Sequence, residues 1–126
     1  MTTRTFAIVL AALITVCLVP YVSAAADITG KWTAAFDTQI GEQRDTYEFL
    51  VKGSQLTGTA VSTNGKSEIK NGKVDGDTVT FVELLDFQGV PLEITYTGKI
   101  ISADQIDFTR QVADVATEKL VAMRAK

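Results

Sequence analysis

From Ile28 onward, apolar residues fall at every second position in short runs, and Gly, Asn, Asp or Ser breaks the runs about every eight to twelve residues. A strand sends alternate side chains to opposite faces, whereas a helix needs apolar residues three or four apart, so this period specifies strands with one face in a core and one in water. Ile28, Gly30, Trp32, Ala34 and Phe36 form the first apolar face, Tyr47, Phe49 and Val51 the second, and Leu56, Gly58 and Ala60 the third. Asn64-Gly65 is a hairpin signal, and the stretch from Ile69 to Leu85 reads as two strands folded back at Asp75-Gly76-Asp77. Asp86-Phe87-Gln88-Gly89 reads as a wider loop. The longest run follows, with Val90, Leu92, Ile94, Tyr96 and Ile100 alternating with polar residues, and Ser102-Ala103-Asp104 turns it into Ile106, Phe108 and Val112. Thr117 to Arg124 is ambiguous, because Glu118, Lys119, Leu120, Ala122 and Met123 are good helix formers. An eighth strand there would pair back with the first and remove both sheet edges. The expected fold is all-β, a compact up-and-down antiparallel barrel of about eight strands.

The N-terminus is of another kind. Arg4 is followed by an apolar run from Phe6 to Val19, then Pro20 and the small residues Ser23 to Ala26. This is the pattern of a secretory signal peptide, and the apolar run is shorter than the roughly 20 residues that span a bilayer. Cleavage is expected after Ala24, with Ala25 and Ala26 as neighbouring alternatives, giving a signal peptide 1–24, a single domain 25–126 and an exported protein, periplasmic or extracellular. Cys17 is preceded by Val16, where a lipoprotein signal favours Gly or Ala, so it reads as an apolar residue of the leader. It is the only cysteine, and its loss leaves the domain without a thiol, a disulfide or a sulfur ligand.

Absent residue types exclude much chemistry. The chain has no His, which removes the commonest neutral-pH base, Ser-His catalysis and the usual zinc sites. No phosphate-cradling Gly-rich loop opens a helix. Asp75-Gly76-Asp77 lacks the further carboxylates of a calcium loop and suits a turn. With 12 Lys and Arg against 15 Asp and Glu, dispersed along the chain, no cationic stripe is available for nucleic acid or an anionic membrane. No metal, cofactor or catalytic residue is assigned.

Three charges are oddly placed. Glu83 shares its face with Val79, Phe81 and Leu85, Arg110 with Ile106, Phe108 and Val112, and Arg124 with Leu120 and Ala122. On strands these faces should be buried, so the sequence predicts either pairing of Glu83 with an Arg or a small polar pocket. Asp37, Glu42 and Asp45, near the first loop, read as a solvated face.

Gly30-Lys31-Trp32, with the late Arg124, resembles the Gly-x-Trp and closing Arg of lipocalin-like, or calycin, barrels. More broadly, Leu56-Thr57-Gly58-Thr59, Gly72-Lys73-Val74-Asp75-Gly76-Asp77 and Tyr96-Thr97-Gly98-Lys99 are similar to patterns of small exported bacterial β-domains, found alone or appended to secreted carbohydrate-active enzymes. The resemblance implies that Arg124 packs over the Trp32 ring and closes the barrel base, and it suggests a saccharide setting. The chain is shorter than a typical lipocalin and has no disulfides.

The function expected from this reading is a non-enzymatic binding or accessory module for a small polar ligand such as a saccharide, with Glu83, Asp86 and Arg110 as binding residues at an open end near Asp86 to Val90. One alternative is a packed barrel that meets a protein partner through its outer face. The other is a carboxylate-dependent hydrolase built on Glu83 and Asp86.

Overall fold

The computed structural model describes residues 27–63 and 65–126; the leader 1–24 and the cleavage position lie outside the described residues. Eight strands follow one another: β1 (Gly30–Thr38), β2 (Gly41–Lys52), β3 (Gln55–Ser62), β4 (Gly65–Asp75), β5 (Thr78–Phe87), β6 (Val90–Ser102), β7 (Gln105–Val112) and β8 (Ala116–Arg124). Each pairs antiparallel with the next, and β8 returns to β1, so the sheet is a closed up-and-down barrel. The ambiguous C-terminal segment is therefore a strand: Leu120 and Ala122 are buried between exposed neighbours, an alternation that outweighs helix propensity.

The apolar faces read from the sequence turn inward, and charged residues such as Lys31, Glu48, Lys70, Asp86, Glu93, Asp107 and Lys119 are exposed outside. That is the reverse of a membrane-spanning barrel, whose outer band is apolar. Asp86-Phe87-Gln88-Gly89 is not a wide loop. Asp86 and Phe87 continue β5, pairing with Pro91 and Val90. The chain reverses within Gln88 and Gly89, at φ 53° and 81°, where positive φ at both central residues matches the twist of the flanking strands.

Tilted strands must bend to close, and the bends sit at Gly58 and Gly72, where the β3–β4 register shifts between Leu56 and Thr59. Gly58 has φ +150°, and a Cβ there would collide with the Glu48 carbonyl of β2. The interior is filled from the base upward. Six aromatic rings form the packed middle, from Trp32 through Tyr47, Phe49, Phe81 and Phe108 to Tyr96, with Phe81 and Tyr96 stacked at 4.4 Å. An eight-stranded barrel is just wide enough for such filling.

Arg124 fastens the base. Its guanidinium carbon lies 4.7 Å from the Trp32 ring centre. It donates hydrogen bonds to the carbonyls of Thr29 (2.8 Å), Asp27 (2.9 Å) and Ala103 (3.0 Å). One planar cation thus joins the segment entering β1 to the β6–β7 turn, a task a point-charge Lys cannot reproduce. Arg124→Met is expected to cost about 2 kcal/mol, read as a melting midpoint lowered by roughly 10 °C in calorimetry, with Arg124→Lys recovering only part of it. Gly58→Ala, at a strained and crowded position, is expected to cost about 3 kcal/mol; a midpoint unchanged from wild type would mean that this bend does not set barrel closure.

Candidate functional site

The turns joining β1 to β2, β3 to β4, β5 to β6 and β7 to β8 lie at the end opposite Arg124. Here the interior is not filled. A cavity of about 210 Å³ opens among residues of β1, β2 and β5 to β8 and the adjoining turns. Its walls are apolar, from Leu85, Leu92, Ile94 and Val112, and its rim carries Ile40, 85% exposed, Val115, 72% exposed, and Phe87. The polar side chains that reach it include Gln43, Arg110 and Glu118.

Below the cavity lies a buried polar layer. Asp45, Glu83 and Arg110 are only 3%, 2% and 4% exposed, and Ser67 is buried with them. Register explains the grouping: Asp45 faces small Ala34 across β1–β2, which leaves room for a carboxylate, while Arg110 faces Tyr96 on one side and Glu118 on the other. Arg110 Nη1 donates to Asp45 Oδ2 at 3.2 Å and to the Tyr96 hydroxyl at 3.3 Å. Its guanidinium carbon is 5.1 Å from the Phe36 ring centre and 5.8 Å from that of Tyr96. Arg110 Nε and Glu118 Oε1 approach to 3.1 Å, yet they are not aligned for a hydrogen bond and neither atom has another partner.

The sequence allows Glu83 two readings, pairing with an Arg or a place in a small polar pocket, and among the described residues no Arg ion-pairs with it directly. Instead Arg110 takes Asp45 and Glu118 as its ion partners, and Glu83 joins the layer through the Tyr96 hydroxyl, which donates to its Oε1 at 3.1 Å. Asp45, read from sequence as solvated, is buried because it shares the inward face of Tyr47, Phe49 and Val51; the same parity marks Glu118, in step with Leu120 and Ala122. Both were discoverable by the rule that found Glu83. Asp86 is not brought to Glu83 and Arg110: it is exposed on the outer face and accepts a hydrogen bond from the Gly89 amide at 2.9 Å, serving the turn.

Hydrogens are scarce in this layer. Tyr47 touches Asp45 Oδ2 and the Tyr96 hydroxyl, each at 3.2 Å, and Tyr96 touches Glu83. Two phenolic protons cannot serve three contacts if both carboxylates are ionised. One added proton on either carboxyl would let all three contacts carry hydrogen bonds; Arg110, ion-paired with Asp45, favours Glu83 as its holder, with the Tyr96 bond then reversed. The electrostatics agree. Burial raises the Glu83 carboxyl above the ordinary range, with Arg110 and the Tyr96 hydrogen bond only partly opposing it, and burial likewise raises Asp45 against its bonds to Gln43 and Arg110. Both phenols are pushed up by burial and stay protonated. Burial works against the Arg110 charge, but Tyr96, Asp45, Tyr47 and Glu118 outweigh it. No three Asp or Glu side chains among the described residues are grouped to hold a metal ion.

Because the folded values of Glu83 and Asp45 lie above their unfolded ones, the unfolded chain binds fewer protons between the two. Their contribution is greatest below about pH 4 and is lost as pH rises through the folded values, by at most about 1.4 kcal/mol per proton per pH unit. Glu83→Gln, whose amide can still donate to Tyr96, should flatten the decline of stability toward pH 8 in urea titrations; an unaltered pH slope would contradict a protonated Glu83. Arg110→Met should cost about 3–5 kcal/mol by stranding Asp45 and Glu118, with Asp45→Asn in the same chain recovering part of the loss.

No protein-family model and no curated protein sequence matches this chain. Among solved structures it is similar to redesigned β-barrels. One, b11L5F_LGL, superposes with a TM-score of 0.59 at 14% identity, covering 81% of this chain and 95% of its own. A second, mFAP1, bound to DFHBI, gives 0.58 at 12% identity over 80% of this chain and 98% of its own. A third, mFAP0, also bound to DFHBI, gives 0.55 at 11% identity, over 78% and 98%. At these identities the likeness is one of fold, and the fold is a closed eight-stranded antiparallel barrel.

Proposed function

We propose that the protein is a non-enzymatic binding module that holds one small ligand in the cavity at its open end. The observation that carries this reading is the unfilled, apolar-walled cavity set on a buried polar layer, in a barrel otherwise packed with aromatic rings. A concave apolar site with a few convergent polar groups is the usual form of a small-molecule site. Its volume lies below the roughly 300–1,000 Å³ of sites for drug-sized molecules, so the bound part is the size of a ring or a short alkyl chain. The DFHBI-bound barrels support this as examples of the same architecture holding a small molecule. The walls favour an apolar body with one polar tip over a saccharide, which would present hydroxyls to Leu85, Leu92, Ile94 and Val112.

The hydrolase alternative is not favoured, because Glu83 is buried inside and Asp86 is exposed outside. Outer-face apolar residues are spread over the barrel, with Leu50, Val61 and Leu84 on different strands and Val121 beside Met123 on β8, and do not favour a protein-docking patch. On the leader-like residues 1–24 we take the domain to be exported; N-terminal sequencing of protein from the exported fraction should begin within two residues of Ala25.

Native mass spectrometry of that material should show an extra mass lost on unfolding. Leu92→Trp, which fills the cavity, should remove the extra mass while shifting the melting midpoint by only a few degrees. A bare wild-type protein that also ignores small aromatic alcohols at millimolar concentration would overturn the reading.

A further inference from the structure

The polar groups bordering the cavity are not equivalent in what they still have to give. The Arg110 guanidinium is engaged on its faces by the Phe36 and Tyr96 rings and along its edge by Asp45, Tyr96 and Glu118. Gln43 spends its amide on Asp45, donating from Nε2 to Oδ1 at 2.9 Å, which leaves its carbonyl oxygen as its main unused group. Thr38 is already occupied, its hydroxyl donating to the Gly41 carbonyl and accepting from the Ile40 amide. Glu118 is the exception. Its side chain is nine-tenths buried, it lines the cavity, and Oε1 accepts no hydrogen bond. Arg110 Nε also lacks an aligned acceptor, but it already faces Glu118 Oε1 at 3.1 Å; toward the cavity the capacity left over is for accepting.

Charge leads to the same place. Even with Glu83 left out of the count, the layer and cavity wall hold one cation, Arg110, against two carboxylates, Asp45 and Glu118. A carboxylate-tipped ligand would add a third anion to a site with one buried cation, where attraction and repulsion are far less screened than in water. A cation would bring the site to neutrality and supply Glu118 with the hydrogen bond it lacks. A metal ion is a poor candidate, since these carboxylates do not converge.

We infer, resting on the binding-module reading, that the cavity takes an amphiphilic organic amine in its protonated form, its ammonium group donating to Glu118 and Gln43 and its apolar body lying against Leu85, Leu92 and Val112. Glu118 is then a binding residue and Arg110 a positioning residue that holds Glu118 at the cavity wall.

Three probes of equal length separate the possibilities: 3-phenylpropylamine, 3-phenylpropanol and 3-phenylpropanoic acid, titrated into the full protein at pH 7 and followed by amide chemical shifts around the cavity. The amine should bind at least tenfold more tightly than the alcohol, with the acid weakest. Glu118→Gln should reduce the amine-to-alcohol ratio about tenfold and leave the alcohol's affinity within about twofold. Alcohol or acid binding as well as the amine would overturn the charge assignment while leaving a binding module. Failure of all three to bind would overturn both. The wild-type ranking stands on its own if Glu118→Gln proves unfolded by circular dichroism; if it folds, an unchanged ratio would remove Glu118 from the site.

Discussion

The barrel depends on a short seam. β1 and β8 pair through Trp32 with Arg124, Thr33 with Met123 and Ala34 with Ala122, extended at the base by the Ala125 amide donating to the Lys31 carbonyl at 2.8 Å, although β1 runs on to Thr38 and β8 begins at Ala116. Everything that makes the sheet a barrel instead of an open meander passes through these pairs and the Arg124 guanidinium beside them, because a closed sheet alone has no edges to protect. Beyond Ala34 the two strands no longer pair, and the surface groove in that region shares Thr38, Gln39, Val115, Ala116 and Glu118 with the cavity wall. The locked base and the open mouth are two consequences of one asymmetry in how far the seam extends.

Above the aromatic middle the chain keeps polar groups where apolar ones would pack. Asp45, Ser67, Glu83 and Arg110 are taken from water at a cost that ion pairing in a protein interior seldom offsets in full, and replacing such groups by well-packed apolar residues often stabilises. The hydroxyls of Tyr47 and Tyr96 reduce that cost by linking Glu83 to Asp45 and so to Arg110. What the layer does not satisfy is at its upper surface, where Arg110 Nε and Glu118 Oε1 face each other out of line. A polar layer complete below and incomplete above is the arrangement of a floor.

The fold was legible because inward and outward residues alternate almost without interruption from Ile28 to Ala122, and the turns carry residues that accept positive φ. Parity also exposed Glu83, Arg110 and Arg124, since a charge in step with Phe81 or Phe108 has nowhere to go but the interior. Asp45 and Glu118 obey the same rule and were hidden by their position near the first and last turns, where strand boundaries are least certain and a charge looks like ordinary loop solvation. Arg124 meets Trp32 as the resemblance implied, but the partners of Glu83 and Arg110 were not legible. Arg110 meets Asp45 across 65 residues of sequence, and that contact exists only because closure sets β1 and β2 against β7 and β8. Asp86 shows the opposite error: it lies in sequence beside the predicted open end, but the turn at Gln88-Gly89 claims its carboxylate on the outer face.

The floor also fixes the scale of anything the barrel holds. A lipocalin-like depth of cavity would require removing the Tyr47–Tyr96 layer, and the rings beneath it interlock at centroid distances of 5.7–6.5 Å, leaving no intermediate depth at which the interior could stay dry and filled. Widening the mouth is less constrained, because its walls are single aliphatic side chains on hairpins that pair with one neighbour near their tips. Ligand length is thus set by buried groups whose replacement endangers the fold, and ligand girth by Leu85, Leu92 and Val112, which can change with little effect on the packed middle. Variation in what such a barrel binds is expected to arise at the wall and rim, with the charge of the floor held constant.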